Sequence, residues 1–230
     1  MKAKDFHIVD FHAHILPKAD HGSSSVSMSL AQLDLAAGHN IKHIVATPHF
    51  YPDRHLVDEF IARRDQAYLE LNGAMSDGHP SVTLGAEVLV CDGIERLDRL
   101  DEFCVEGTKI LLLELPFSVF KPEYRDSVRR LIKRGYEVVL AHADRYSPDT
   151  IETLAEVGAL MQLNAHALCG VGIQSDIKRW ILSGQVVALG SDIHQDDKKA
   201  YKRFDKAKER FISLGATAAL QSFSDFICHH

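Results

Sequence analysis

The sequence predicts an α/β protein of parallel βαβ units, and three observations carry that expectation. Seven short apolar runs rich in β-branched residues are spread over the 230-residue chain. Amphipathic, helix-like segments separate them. Each run is almost continuously hydrophobic, the pattern of a strand covered on both faces in a parallel sheet. Such alternation builds right-handed crossovers. An open doubly wound sheet and a closed β/α barrel both satisfy it.

The first strand is expected at residues 7–11. A helix capped by Ser25 or Ser27 follows and runs to about Gly38, where glycine suits the position just past a helix end. A strand at 43–47 precedes a long charged amphipathic helix over 53–72, ended by Gly73. The third and fourth strands fall at 82–87 and 109–114. Pro122 opens a helix that closes at Gly135, with proline in the first turn and glycine after the last. A strand at 137–141 leads to a helix from Ser147-Pro148 to about Val157-Gly158. The sixth strand, 159–163, is followed by a helix over 174–184. The seventh, 186–190, is followed by a helix over 196–215 and a helical tail over 216–226. No glycine-rich phosphate loop, internal repeat or low-complexity linker interrupts this series. Residues 1–230 are therefore expected to form a single domain.

Composition narrows the functional classes. The chain is 46% hydrophobic and 25% charged with a formal net charge of −6, and it lacks any basic run. Nucleic acid and anionic membrane surfaces are thus not expected partners. Cys91, Cys104, Cys169 and Cys228 form no C-x-x-C pair, so they read as buried free thiols in a reducing cytosol. No signal-peptide core and no stretch of eighteen apolar residues is present, which predicts a soluble cytoplasmic protein. His229 and His230, at the extreme end, are set aside from site reasoning.

The fourteen histidines carry the functional signal. Residues i and i+2 of a strand share a face, so His12 and His14 in His-Ala-His aim the same way. Asp192-Ile193-His194 repeats the spacing after the last strand. His49, Glu87, Glu114 and His142 each stand at or just past the end of another strand. Six of the seven strands thus finish in His, Glu or Asp. In a β/α barrel those ends share the face where active sites are built. Five imidazoles and three carboxylates gathered there would be costly without cations, and imidazole with carboxylate suits zinc, manganese or iron. Taken singly, a histidine at a strand end is commonly a hydrogen-bonded rim residue; the joint pattern is what points to metal. Glu114 is the most telling carboxylate, because it interrupts the apolar run Ile110-Leu-Leu-Leu-Glu-Leu-Pro-Phe. His7, His39, His43, His55 and His79 read as solvated, and His166 as a weak candidate for lining the cup.

The stretches Asp10-Phe-His-Ala-His-Ile-Leu-Pro, Ile44-Val-Ala-Thr-Pro-His, Gly85-Ala-Glu, Leu112-Leu-Glu-Leu-Pro-Phe, Gly135-Tyr-Glu-Val-Val-Leu-Ala-His, Glu156-Val-Gly-Ala-Leu-Met-Gln-Leu-Asn-Ala and Ala188-Leu-Gly-Ser-Asp-Ile-His resemble the PHP (polymerase and histidinol phosphatase) superfamily. Within it they are most similar to the bacterial tyrosine-protein phosphatases of capsular and exopolysaccharide synthesis. The resemblance implies a distorted β/α barrel of about seven parallel strands. It implies two to three divalent metal ions, manganese foremost, with iron, zinc or magnesium as alternatives. The implied ligands are His12, His14, His49, Glu87, Glu114, His142, Asp192 and His194. The implied partner is the phosphotyrosine segment of a polysaccharide-assembly tyrosine kinase, and the implied reaction is phosphomonoester hydrolysis by metal-activated hydroxide. A homo-oligomer is compatible with the family, though no interface motif is readable.

Three departures from the family pattern bear on catalysis. Asp20-His21-Gly22 replaces Asp-Asp-Gly, so either Asp20 or His21 is the expected acid, and His21 is also a further metal-ligand candidate. His142-Ala-Asp-Arg145 replaces His-Pro-Glu-Arg and keeps Arg145 as the phosphate clamp. The family's Arg-Pro pair after the last motif is missing, and Lys198, Lys199 or Arg203 is the expected substitute. A small-molecule phosphatase of the histidinol-phosphatase type, an amidohydrolase, and a non-catalytic metal- or partner-binding relative are the competing readings. No Cys-x5-Arg loop supports a cysteine-nucleophile phosphatase.

Overall fold

A computed structural model describes residues 7–117 and 120–229. Its strands are β1 (Asp10–Ala13), β2 (His43–Ala46), β3 (His49–Phe50), β4 (Ser81–Leu84), β5 (Glu87–Leu89), β6 (Ile110–Glu114), β7 (Glu137–Leu140), β8 (Leu160–Asn164) and β9 (Val186–Gly190). Its helices are α1 (Val26–Gly38), α2 (Val57–Asn72), α3 (Pro122–Lys133), α4 (Pro148–Ala155), α5 (Ser175–Leu182), α6 (Ala200–Leu214) and α7 (Ala218–Cys228). The strands form one sheet in the order β3-β5-β6-β7-β8-β9-β1-β2-β4, and every pairing is parallel.

Nine strands replace the expected seven because two of them are interrupted. Thr47-Pro48 separates β2 from β3, and Gly85-Ala86 separates β4 from β5. Proline has no N–H to give a ladder, so the interruption at Pro48 has a covalent cause. Pairing continues across both gaps: Gly85 N–H donates to the Ala46 carbonyl (2.9 Å) and Glu87 N–H to the Pro48 carbonyl (3.1 Å). The sheet therefore curls toward a barrel.

Side-chain alternation divides the interior in two. On β6, Leu111 and Leu113 face the large cluster shared with the helices. Ile110 and Leu112 face the other way, into a smaller cluster with Val45, Val139 and Ala141, packed beneath Ile227 and Phe223 of α7. Glu114 lies on this second face, one strand step beyond Leu112, and so enters the curl where the apolar layer ends.

Several boundaries differ from the sequence expectation. The first strand is Asp10–Ala13, so His12 lies within it. Ser25 caps α1 by accepting from Met28 N–H, but the left-handed residue after this helix is Asn40 (φ 59°), not Gly38. Helix α2 starts at Val57 rather than 53, because Arg54 and His55 N–H both turn back to the Tyr51 carbonyl (2.9 Å each). Ser147 caps α4 as expected. Among the cysteines only Cys104 is buried; Cys91 and Cys169 are half-buried and Cys228 is exposed, which corrects the expectation of four buried thiols. His39, His43, His55 and His79 are half-buried rather than solvated. They bond to Asp205, to Thr83 and Ser81, to Tyr51 N–H and to Asp34, respectively.

Candidate metal centre

The C-terminal ends of the strands bring all eight expected ligands together. Glu87 stands at the centre. One of its oxygens, Oε2, lies 3.1 Å from His12 Nε2, 3.3 Å from His14 Nε2 and 2.9 Å from His49 Nδ1. The other, Oε1, lies 2.7 Å from His142 Nε2. Glu114 Oε1 is 3.6 Å from the same His142 nitrogen, and its Oε2 is 3.8 Å from His49 Nδ1. Asp192 Oδ1 is 3.5 Å from His14 Nε2 and 3.8 Å from His12 Nε2. The His194 ring stacks on His14 with centroids 4.0 Å apart.

Most of these imidazoles are oriented through Nδ1. His12 Nδ1 lies 3.1 Å from Gln162 Oε1, His14 Nδ1 2.7 Å from Asp20 Oδ2, His142 Nδ1 3.2 Å from Tyr146 Oη, and His194 Nδ1 3.0 Å from the Asp192 carbonyl. Each partner holds one nitrogen and leaves Nε2 for the cup. His49 differs: its Nδ1 points inward. Its ring is held instead by stacking, with His21 at 4.8 Å and 8° on one contact and Tyr51 at 5.3 Å and 19° on another.

Two of the ligand positions sit at backbone turns that few side chains adopt. His142 has φ 35° and Asp192 has φ 51°. Non-glycine residues held there cost about 1–3 kcal/mol each, and such strain clusters at functional sites. At Asp192 the strand has already ended, so Asp192 and His194 do not share a strand face as the i, i+2 spacing suggested. They converge because Ile193 bridges to Ala13 and accepts from His14 N–H at 3.2 Å.

The imidazoles and carboxylates of the cup shift one another's proton affinities. Burial alone would push the His12 and His14 imidazoliums down, but the neighbouring carboxylates (Glu87 and Asp192 for His12, Asp20 foremost for His14) hold both above the usual value. Burial works against an ionised Glu87, and His12 with His14 and His142 outweighs it, keeping this carboxylate well below the usual range. Burial and the charge of Glu87 push Glu114 up to about 7. Burial and the charge of His14 push His194 down to about 4.

Divalent ions fit this donor set. Among the described residues, Glu87 Oε2, His49 Nδ1 and His194 Nε2 are buried polar atoms that make no aligned hydrogen bond, although Glu87 Oε2 and His49 Nδ1 lie 2.9 Å apart, a costly state unless something else occupies their lone pairs. Three overlapping groups, His12–His14–Glu87, His14–His49–His194 and His49–Glu87–Glu114, each place their ligand atoms within 4.8 Å of one another. All-imidazole and imidazole–carboxylate groups of this kind match transition-metal preferences.

The cup opens into a cleft of about 490 Å³, lined by His49, Glu87, Glu114, His142, Asp192 and His194 together with His21, Tyr51, Phe117 and Arg145, while His12 and His14 lie beneath this lining. Arg145 donates to Asp192 Oδ2 and, among the described residues, is the only lysine or arginine lining the cleft. The expected substitutes for the missing Arg-Pro pair do not reach the cleft. Lys198 lines a separate small cavity beside α1, Arg203 pairs with Asp197, and Lys199 N–H bonds Asp197 at the start of α6. His166 is exposed and outside the lining.

Asp20 and His21, ambiguous in sequence, are separated by geometry. Asp20 Oδ2 takes His14 Nδ1 and His49 N–H (2.9 Å), and Oδ1 takes Gly22 N–H (2.8 Å). Burial would raise its pKa, but His14 and the two amides hold it far below the carboxylate range. These contacts make Asp20 the group that orients His14 and the start of β3. His21 lines the cleft.

A buried amide relay joins the ligands and was missed in the sequence. Gln162 Oε1 accepts from His142 N–H (2.6 Å) and faces His12; its Nε2 donates to Asn164 Oδ1 (3.0 Å). Asn164 Nδ2 donates to Asp192 Oδ2 (2.8 Å), and Asp144 Oδ1 accepts from Asn164 N–H (2.8 Å). The signal was present: Gln162 and Asn164 are polar at i and i+2 in an otherwise apolar strand.

Residues 8–212 match the family model for capsular polysaccharide synthesis, CpsB/CapC. The chain belongs to this family. One family-type relative, the tyrosine-protein phosphatase YwqE of Bacillus subtilis (strain 168), is 28% identical over 171 residues, 71% of this chain and 67% of that protein. The tyrosine-protein phosphatase CpsB of Streptococcus agalactiae serotype V is 21% identical over 229 residues, 90% of this chain and 94% of its own length. A solved structure described as YwqE from Bacillus subtilis and CpsB from Streptococcus pneumoniae, metal-dependent tyrosine phosphatases, superposes with a TM-score of 0.73. It covers 96% of this chain and 92% of that one at 21% identity, a likeness of fold.

Proposed function

We propose that this chain is a metal-dependent phosphomonoesterase that hydrolyses phosphotyrosine on a tyrosine kinase of polysaccharide assembly. One observation supports it most: eight metal-type side chains converge, with buried ligand atoms that make no aligned hydrogen bond, at the floor of a cleft whose single lining lysine or arginine among the described residues is Arg145. Family membership and the names of its relatives support the substrate.

His12, His14, His49, Glu87, Glu114, His142, Asp192 and His194 would hold two or three divalent ions, manganese foremost. Bound there, such ions supply an activated water and neutralise phosphoryl charge. Arg145 offers a planar fork of donors to the phosphoryl oxygens, and its anchor on Asp192 fixes the fork at the cup wall. Phe117 and Tyr51 flank the space left for an aromatic leaving group. A tyrosyl oxygen, with a free pKa near ~10, needs little acid assistance. His21, at the rim, is placed to donate a hydrogen bond from its ring N–H to that oxygen.

Comparing phosphotyrosine with histidinol phosphate as substrates tests the reading. A higher kcat/KM on phosphotyrosine is expected. Turnover of histidinol phosphate alone would replace it with the small-molecule assignment.

A further inference from the structure

The cleft does not end at the metal cup. A second cavity of about 290 Å³ lies beside it, and Phe117 and Arg145 line both. Its walls come from two strand exits: Leu115 and Pro116 follow β6, while Tyr146 and Ser147 follow the turn after β7. Phe120 and Thr150 close it. The floor is braced, because Tyr146 Oη accepts from Leu115 N–H (3.2 Å) and donates to the Leu115 carbonyl (3.0 Å). The wall between the two cavities is unusual. Phe117 is 75% exposed, in a cleft otherwise lined by imidazoles, carboxylates, Tyr51 and Arg145. A large apolar ring left open to water at the mouth of a polar site marks a contact for a ligand's apolar part.

We propose that this second cavity is a subsite for the peptide residue next to the phosphotyrosine, and that it selects an uncharged side chain. The proposal rests on the phosphotyrosine reading above. With the phosphate in the cup beside Arg145, the tyrosyl ring lies along Phe117 and the adjoining backbone crosses the shared wall. The flanking side chain then meets Leu115, Pro116, Phe120 and the Tyr146 ring, with Ser147 and Thr150 beside them. Arg145 is the one charged group lining the cavity, and its fork is committed to Asp192 and the phosphate. An acidic or basic flanking residue thus finds no counter-charge there, while an apolar one is desolvated. A free aryl phosphate or a small metabolite does not reach this subsite.

The test compares phenyl phosphate with two phosphotyrosine hexapeptides, one flanked by leucine and one by glutamate. The enzymes are the metal-loaded wild type, Thr150→Trp, which fills the cavity, and Phe120→Ala, which strips a wall. A single methylene gained or lost in a pocket changes discrimination by roughly 10–200-fold. Wild type is expected to prefer the leucine peptide about tenfold in kcat/KM, chiefly through KM. Both variants should lose that preference while turning over phenyl phosphate within about twofold of wild type, with unchanged melting temperature. Equal kcat/KM on both peptides in wild type, or variants that impair phenyl phosphate as much as peptide, would overturn the subsite. Should wild type hydrolyse none of the three, the phosphatase reading fails. The subsite is then judged by fluorescence anisotropy of the two labelled peptides: preferential binding of the leucine peptide, lost in Thr150→Trp, sustains it, and equal binding ends it.

Discussion

At the scale of single residues, the proposed centre depends on which nitrogen of each imidazole faces the cup. Gln162, Asp20, Tyr146 and the Asp192 carbonyl hold four Nδ1 atoms. Removing such a partner usually costs 10–100-fold in metal affinity. Gln162→Ala or Asn164→Ala should therefore weaken metal binding by roughly that factor, with a folded protein by circular dichroism; unchanged affinity in a metal titration would deny the relay its role. Arg145 lies on the other side of the division. Arg145→Ala should raise KM and lower kcat, by about 10²–10³ in kcat/KM for loss of a charge-stabilising donor, with bound metal unchanged by elemental analysis. Loss of metal in that variant would make Arg145 a support for Asp192 rather than a phosphate clamp. The convergence of the eight candidate ligands was legible in the sequence because His, Glu and Asp at successive strand ends are rare in concert. Gln162 and Asn164 were harder to read, since a neutral amide is not marked by type and only their i, i+2 polarity in an apolar strand set them apart. Lys198, Lys199 and Arg203 were misread because the chain turns left-handed at Asp192 and again at Gln195 (φ 49°), which carries those cations away toward α1 and α6.

At the scale of elements, close backbone approach sets the cup. A Cβ at Gly22 would stand 2.2 Å from His14 Cβ and 2.4 Å from the His14 carbonyl oxygen, so Gly22→Ala must move β1's exit or the Asp20 turn. It should destabilise the protein by about 1–3 kcal/mol or more, as overpacking does, and reduce metal occupancy; a melting temperature and metal content equal to wild type would refute the contact. Asp10 ties three elements together, accepting from Ser191 N–H (2.8 Å) after β9 and from Tyr201 Oη (2.9 Å) on α6. Burial raises its pKa from 3.8 to about 6, despite those hydrogen bonds. A raised folded pKa means its contribution is fully present below about 3.8 and is lost as pH rises through about 6. At 1.36 kcal/mol per pH unit this approaches about 3 kcal/mol. Asp10→Asn should lose less stability than wild type between pH 4 and 7 in denaturant melts; parallel pH profiles would contradict this. Strand and helix order was legible from hydrophobic periodicity. The breaks were not, because Gly85-Ala86 stands inside a run that hydrophobicity alone reads as one strand, and the two-residue strand His49–Phe50 resumes beyond Pro48, where the expected run had ended.

At the scale of the whole molecule, the curled parallel sheet turns a list of scattered residues into one site. Residues as distant in sequence as His12 and Asp192 meet because β1 pairs with both β2 and β9. Barrel and open sheet could not be told apart from alternation, since both are built from βαβ units; the distinction lies in whether β1 joins the first and last crossovers, which is a tertiary fact. The same convergence crowds three carboxylates and five imidazoles, so ions that bind only the folded chain should stabilise it. At a free metal concentration 100 times the dissociation constant, linkage gives ~2.7 kcal/mol, seen as a melting temperature that falls on chelation. The central claim is tested most directly by elemental analysis of the purified protein together with phosphotyrosine-peptide turnover before and after chelation. Two or three bound divalent ions, with turnover abolished by the chelator and restored by manganese, is the predicted result. Turnover that survives complete removal of metal, or bound metal without turnover of any phosphomonoester, would contradict it.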